Sequence, residues 1–99
     1  MQLDAARMLI LRAAWLKDQA VKDGTTRHTQ ESAMAKLYAS EMATRVTHQA
    51  LQIFGGYGYS KEYEIERLMR DAPFLLIGEG TSEIQKNIIS KRLLADYRV

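Results

Sequence analysis

The chain has 99 residues, which is room for one small domain with a thin core. Its hydrophobic share of 46% and charged share of 26% exclude a disordered tail, and a net charge of +2 gives no electrostatic footprint for nucleic acid. The absence of cysteine excludes disulfides, thiolate metal sites and cysteine nucleophiles, and no apolar run approaches the 18 or more residues of a membrane span.

A first helix is predicted over Leu3–Val21, where Leu3, Ala6, Ile10, Ala13 and Leu16 recur three or four apart, with Gly24 as its stop. Met8, Leu9, Ile10 and Leu11 are consecutive, so this helix is apolar around much of its girth and calls for neighbours on more than one side. No signal-peptide order precedes it, because Asp4, Arg7 and Arg12 break up its apolar residues. A second helix is predicted over Gln30–Phe54. It carries one stripe of Met34, Leu37, Tyr38 and Met42 and another of Ala35, Ala39 and Ala43, small enough for close approach. A short charged helix follows over Glu62–Arg70. The last runs over Ser82–Tyr97, with Ile84, Ile88, Ile89 and Leu93 inward and a capping box of Ser82 and Gln85. No strand pattern stands out. The fold class is all-α, an antiparallel helical bundle of about four helices.

Two segments carry more glycine than a turn needs. In Gln52-Ile53-Phe54-Gly55-Gly56-Tyr57-Gly58-Tyr59 the glycines either cap a helix and make a tight turn, or expose amides to a phosphate. In Ile77-Gly78-Glu79-Gly80-Thr81-Ser82, Glu79 is either an acid near a helix N-terminus or a carboxylate facing an apolar pocket. The second placement would raise its pKa toward that of a general base. His28 and His48 have no partners at metal-ligand spacing, so no metal site is expected. Arg67, Arg70 and Asp71 read as a solvated face.

The run Gln52–Tyr59, then Glu66-Arg67-Leu68-Met69-Arg70-Asp71, then Glu79-Gly80-Thr81-Ser82-Glu83-Ile84-Gln85 resemble in order and spacing the C-terminal helical domain of the acyl-CoA dehydrogenases. The resemblance covers essentially all of residues 1–99. It implies the back quarter of a flavoprotein that oxidises an acyl-CoA to a trans-2-enoyl-CoA, the other domains lying upstream, and it implies that these residues alone are inactive. Glu79 matches the base that takes the α-proton while the β-hydrogen leaves as hydride to FAD, and Gly80 matches a substrate contact. Thr81 and Glu83 match FAD contacts. Gln52, Ile53, Phe54, Gly55 and Gly56 match a segment reaching the ADP half of a neighbouring subunit's FAD. The implied partners are an acyl-CoA, an electron-accepting flavoprotein and further copies of the chain in a dimer or tetramer, with neither nucleic acid nor a membrane span. The implied setting is fatty acid metabolism in a bacterial cytoplasm or a mitochondrial matrix.

Two positions depart from the family pattern. Gly78 stands where tyrosine is frequent, which predicts a wider pocket beside the base and better tolerance of branched acyl groups. Lys91 stands where some members have arginine, and no role is carried over to it. A non-catalytic helical assembly module, or another flavoprotein on the same scaffold, are the competing readings. An intact Glu79 favours dehydrogenation.

Overall fold

The computed structural model describes residues 1–97. Four α-helices follow one another: α1 over Gln2–Asp23, α2 over Thr29–Phe54, α3 over Ile65–Asp71 and α4 over Ser82–Asp96. Short 3₁₀ segments occupy Gly55–Tyr59 and Ala72–Leu76, and there is no strand among the described residues. The expected all-α class holds.

Helix α2 is the spine, packing against α1, α3, α4 and both 3₁₀ segments. The α1–α2 pair is an antiparallel hairpin. Gln2 Oε1 accepts from Arg45 Nε at 3.4 Å at one end, and Arg12 pairs with Glu31 at 3.6 Å nearer the connection. That connection starts at Gly24, which closes α1 in the left-handed region at φ 69° with its N–H on Ala20 O. Asp23 then caps the turn by accepting from the N–H groups of Thr25 and Thr26, each at 2.9 Å, and from the Thr26 hydroxyl.

Small residues make this packing. The buried apolar side chains are Ala6, Ala13, Ala33, Ala35, Met42, Ile65 and Ala72, so helix backbones approach closely with little bulk between them. The result is an open slab of 52 × 29 × 24 Å. Its radius of gyration of 16.6 Å exceeds the roughly 13 Å of a compact domain of this length. Met8, Leu11 and Trp15, which share one face of α1, stay exposed, as that helix's apolar girth predicts for a helix covered on one side only.

Three local expectations are corrected. The third helix begins at Ile65 rather than Glu62, because Ser60 holds a turn first: its Oγ accepts from Glu62 N at 3.2 Å and its carbonyl from Tyr63 N at 3.4 Å. The cap of α4 is Thr81 rather than Ser82, with Thr81 Oγ1 accepting from Ile84 N at 3.3 Å. Along α4, Ile88 and Ile89 are half-buried as expected, whereas Ile84 and Leu93 are exposed and the most buried residues are Ser82 and Gln85, because only one side of this helix is covered.

Candidate functional site

Glu79 sits in a strained loop between the second 3₁₀ segment and α4. The first 3₁₀ residues after α3 lead through Phe74, whose carbonyl accepts from Ile77 N at 3.0 Å and Gly78 N at 2.8 Å. The chain then passes through Glu79 at φ 59° and Gly80 at φ 100° before Thr81 opens α4. Glu79 is the one non-glycine residue with positive φ among those described. A Cβ in that region costs on the order of 1–3 kcal/mol, and such residues cluster at functional sites.

Two side chains from separate helices hold this conformation. Lys36 Nζ, from α2, donates to Gly80 O at 2.6 Å. Gln85 Nε2, from α4, donates to the carbonyls of Glu79 and Gly80, each at 3.4 Å. The expected capping box is therefore replaced by a different contact, in which Gln85 reaches the loop before the cap rather than the cap N–H. Sequence reading missed Lys36. It lies mid-helix, 44 positions from Gly80, with no local signal of its task.

The Glu79 side chain borders an open groove of about 500 Å³ lined by Ile10, Ala39, Met42, Ala43, Phe74 and Leu75. The expected apolar surroundings are there, but Glu79 is exposed, so residues 1–97 do not enclose its carboxylate. Lys36 also lines this groove, with its Nζ on Gly80 O. The Phe74 ring lies next to Gly78, where a Cβ would stand 2.9 Å from Phe74 Cζ.

The residues matched to cofactor contacts fall in two places. Thr81 and Glu83 line a second groove, about 380 Å³, with Glu41, Thr44, Arg45 and Ser82 at the α4 N-terminus. The Ser82 hydroxyl is buried there without a hydrogen-bond partner, a polar group left for a ligand atom to satisfy. The helix N-terminus and Arg45 favour ligand oxygens here, while Glu41 and Glu83 in the same groove oppose a phosphate, so the residues present fit the neutral carbonyl and hydroxyl atoms of FAD rather than its pyrophosphate.

Gln52, Ile53, Phe54, Gly55 and Gly56 lie at the far end of α2, all exposed. Sixteen residues at 1.5 Å each put Gln52 about 24 Å along the helix from Lys36. One chain therefore does not bring this segment to Glu79. Nothing lies within 4 Å of a Cβ built on Gly55 or Gly56, so the backbone is open to a ligand. Gly58 is different: a Cβ there would lie 2.6 Å from Leu51 O, so the turn can fold back on α2 only without a side chain. The remaining chemistry-bearing residues do not converge. No group of three His, Cys, Asp or Glu could hold a metal among the described residues, and no described helix is long and apolar enough to cross a membrane. Arg67, Arg70 and Asp71 face solvent within α3, as expected, with Arg67 paired to Asp71 and Arg70 to a half-buried Glu66.

Known proteins place this arrangement. The sequence model of the acyl-CoA dehydrogenase C-terminal domain matches residues 1–94. The probable acyl-CoA dehydrogenase YngJ of Bacillus subtilis is 55% identical over 94 residues, 95% of this chain and 23% of that protein. Butyryl-CoA dehydrogenase from Megasphaera elsdenii superposes with a TM-score of 0.89 at 47% identity, over 95% of this chain and 23% of that one. An FAD complex of PigA superposes at 0.86 with 31% identity, over 97% of this chain and 24% of that one. The chain thus spans less than a quarter of the length of these relatives. It belongs to the acyl-CoA dehydrogenase family, and residues 1–94 are that family's C-terminal helical domain.

Proposed function

We propose that residues 1–99 are the base-bearing C-terminal part of an FAD-dependent acyl-CoA dehydrogenase, which converts an acyl-CoA to a trans-2-enoyl-CoA. The observation that carries this reading is Glu79, held at φ 59° between two glycines by Lys36 and Gln85 on the rim of an apolar groove. An unassisted carboxylate loop would relax to an ordinary backbone. This one is fixed from two helices, which suits a base that must meet one carbon-bound proton in one geometry.

In this reading the acyl chain lies along the groove and a Glu79 carboxylate oxygen accepts the α-proton. Lys36 and Gln85 bind backbone rather than the carboxylate, so both oxygens stay free to receive it. Gly80 is the substrate contact beside the base, and its lack of a side chain leaves the room that Gln85 Nε2 takes, 2.7 Å from where a Cβ would stand. FAD, when bound, supplies the hydride acceptor for the β-hydrogen. Thr81, Ser82 and Glu83 hold it from this chain's own side, while Gln52 to Gly56 reach the FAD of a second copy. Their separation along α2 supports a homo-oligomer, a dimer or tetramer, in which each chain serves two cofactors. Enclosure of Glu79 then comes from substrate and from the rest of the enzyme. An electron-accepting flavoprotein would be the partner that takes the electrons on, and the setting is fatty acid metabolism in a bacterial cytoplasm or mitochondrial matrix.

The test is product analysis with the full-length enzyme and an artificial electron acceptor. Butyryl-CoA should yield a product two hydrogens lighter with a trans-2 double bond. No mass change with any acyl-CoA, alongside an intact fold, would favour the assembly-module reading instead.

A further inference from the structure

Lys36 stands on α2 one turn before Ala39 and two turns before Ala43, and all three line the groove that Glu79 borders. From that wall Lys36 Nζ donates to Gly80 O at 2.6 Å, a short, charge-assisted bond. The oxygen belongs to the peptide that joins Gly80 to Thr81, directly after the Glu79 residue. Gln85 Nε2 holds the oxygens of Glu79 and Gly80 from α4, but at 3.4 Å each and without a charge. Glu79 at φ 59° and Gly80 at φ 100° keep such conformations only while the surroundings fix them. The Lys36 bond is therefore what sets the place of Glu79 relative to the α2 wall of the groove.

We propose that Lys36 is a positioning residue for proton abstraction: through Gly80 O it holds the Glu79 carboxylate in register with a substrate carbon lying against α2. The proposal rests on Glu79 being the base of the dehydrogenase proposed above. Lys36 bonds to backbone, so it acts through the geometry of the loop and takes no proton itself. Misplacing a reacting group by about 1 Å costs on the order of 10²-fold in rate. Removing the ammonium leaves the groove walls of Ile10, Ala39, Met42 and Ala43 in place, so binding of the thioester is spared. Then kcat and kcat/KM fall together, the mark of an interaction felt only in the transition state. A lysine that merely stabilised the fold would lower the yield of holoenzyme and leave kcat per bound flavin as it was.

The experiment measures kcat and KM of the full-length enzyme for butyryl-CoA, per bound flavin, in the wild type, Lys36→Met, Lys36→Gln and Glu79→Gln. Lys36→Met keeps the stem without the donor, and Lys36→Gln keeps a neutral donor on a shorter stem, so either carries the test if the other does not fold. In both, kcat and kcat/KM should fall by about 10- to 100-fold while KM stays within about twofold. Wild-type kcat in the Lys36 variants, with Glu79→Gln still slow, overturns the role of Lys36 and leaves the dehydrogenase reading standing. A raised KM at wild-type kcat overturns it as well, because Lys36 would then be a binding group. A wild-type enzyme that oxidises no acyl-CoA overturns both.

Discussion

Lys36 Nζ stands 2.6 Å from the carbonyl oxygen of Gly80, tying the middle of α2 to the loop that carries Glu79. The bond is charge-assisted and half-buried, and it crosses between elements with no other side chain donating from α2 to that loop. Replacing Lys36 by Met keeps the stem and removes the donor. The chain should lose about 1.5–3 kcal/mol, the usual worth of a hydrogen bond to a charged group, in urea unfolding. Lys36→Arg should recover part of the loss. Equal stability of wild type and Lys36→Met would show that the loop holds itself.

Strain at Glu79 makes a second prediction with the opposite sign. Glycine accepts φ 59° without penalty, so Glu79→Gly relieves about 1–2 kcal/mol of left-handed strain and gives back about 0.5–1 kcal/mol in backbone entropy. The variant should be more stable by about 0.5–1 kcal/mol, measured by denaturation of the purified chain. A destabilised variant would mean that the Glu79 side chain contributes packing beyond its exposed position.

Much of this frame was legible in the sequence. The α1 and α2 boundaries follow from apolar spacing and from Gly24 and Gly55, because local periodicity and glycine stops are written within a few residues of where they act. The Gly-Glu-Gly run marked the loop as unusual. Lys36 was not legible as a site residue, because it acts across 44 positions. Thr81 and Ser82 are adjacent hydroxyl residues, and only the backbone geometry decides which one caps and which one is buried.

Asp23 should leave a signature in acid. Its carboxyl is pulled from 3.8 to about 2, first by the Thr26 hydroxyl and then by the N–H groups of Thr26 and Thr25. A carboxylate with a depressed folded pKa stabilises the fold above its unfolded value and loses that contribution as pH falls through the folded value. The stability difference between wild type and Asp23→Ala should be flat above about pH 4 and shrink between pH 4 and pH 2. Urea unfolding across that range checks it. A difference independent of pH would show that the α1–α2 turn does not depend on the charge.

The purified chain should self-associate. Met8, Leu11 and Trp15 are exposed by 62%, 54% and 60% at helical spacing along α1, and a contiguous apolar stripe in water is an association surface. Sedimentation velocity should show a dimer or larger species at micromolar concentration. Trp15→Lys should shift it toward monomer. A monomeric wild-type chain contradicts this reading of the stripe.

The central claim is that Glu79 takes the proton, and one measurement addresses it with little between. In the full-length enzyme, Glu79→Gln keeps the size of the side chain and the backbone contacts of Lys36 and Gln85, and removes the acceptor charge. Anaerobic stopped-flow reduction of the flavin by butyryl-CoA should slow by about 10² to 10⁴ while FAD content stays at the wild-type level. Reduction of the Glu79→Gln flavin at the wild-type rate would contradict the assignment and move the base elsewhere.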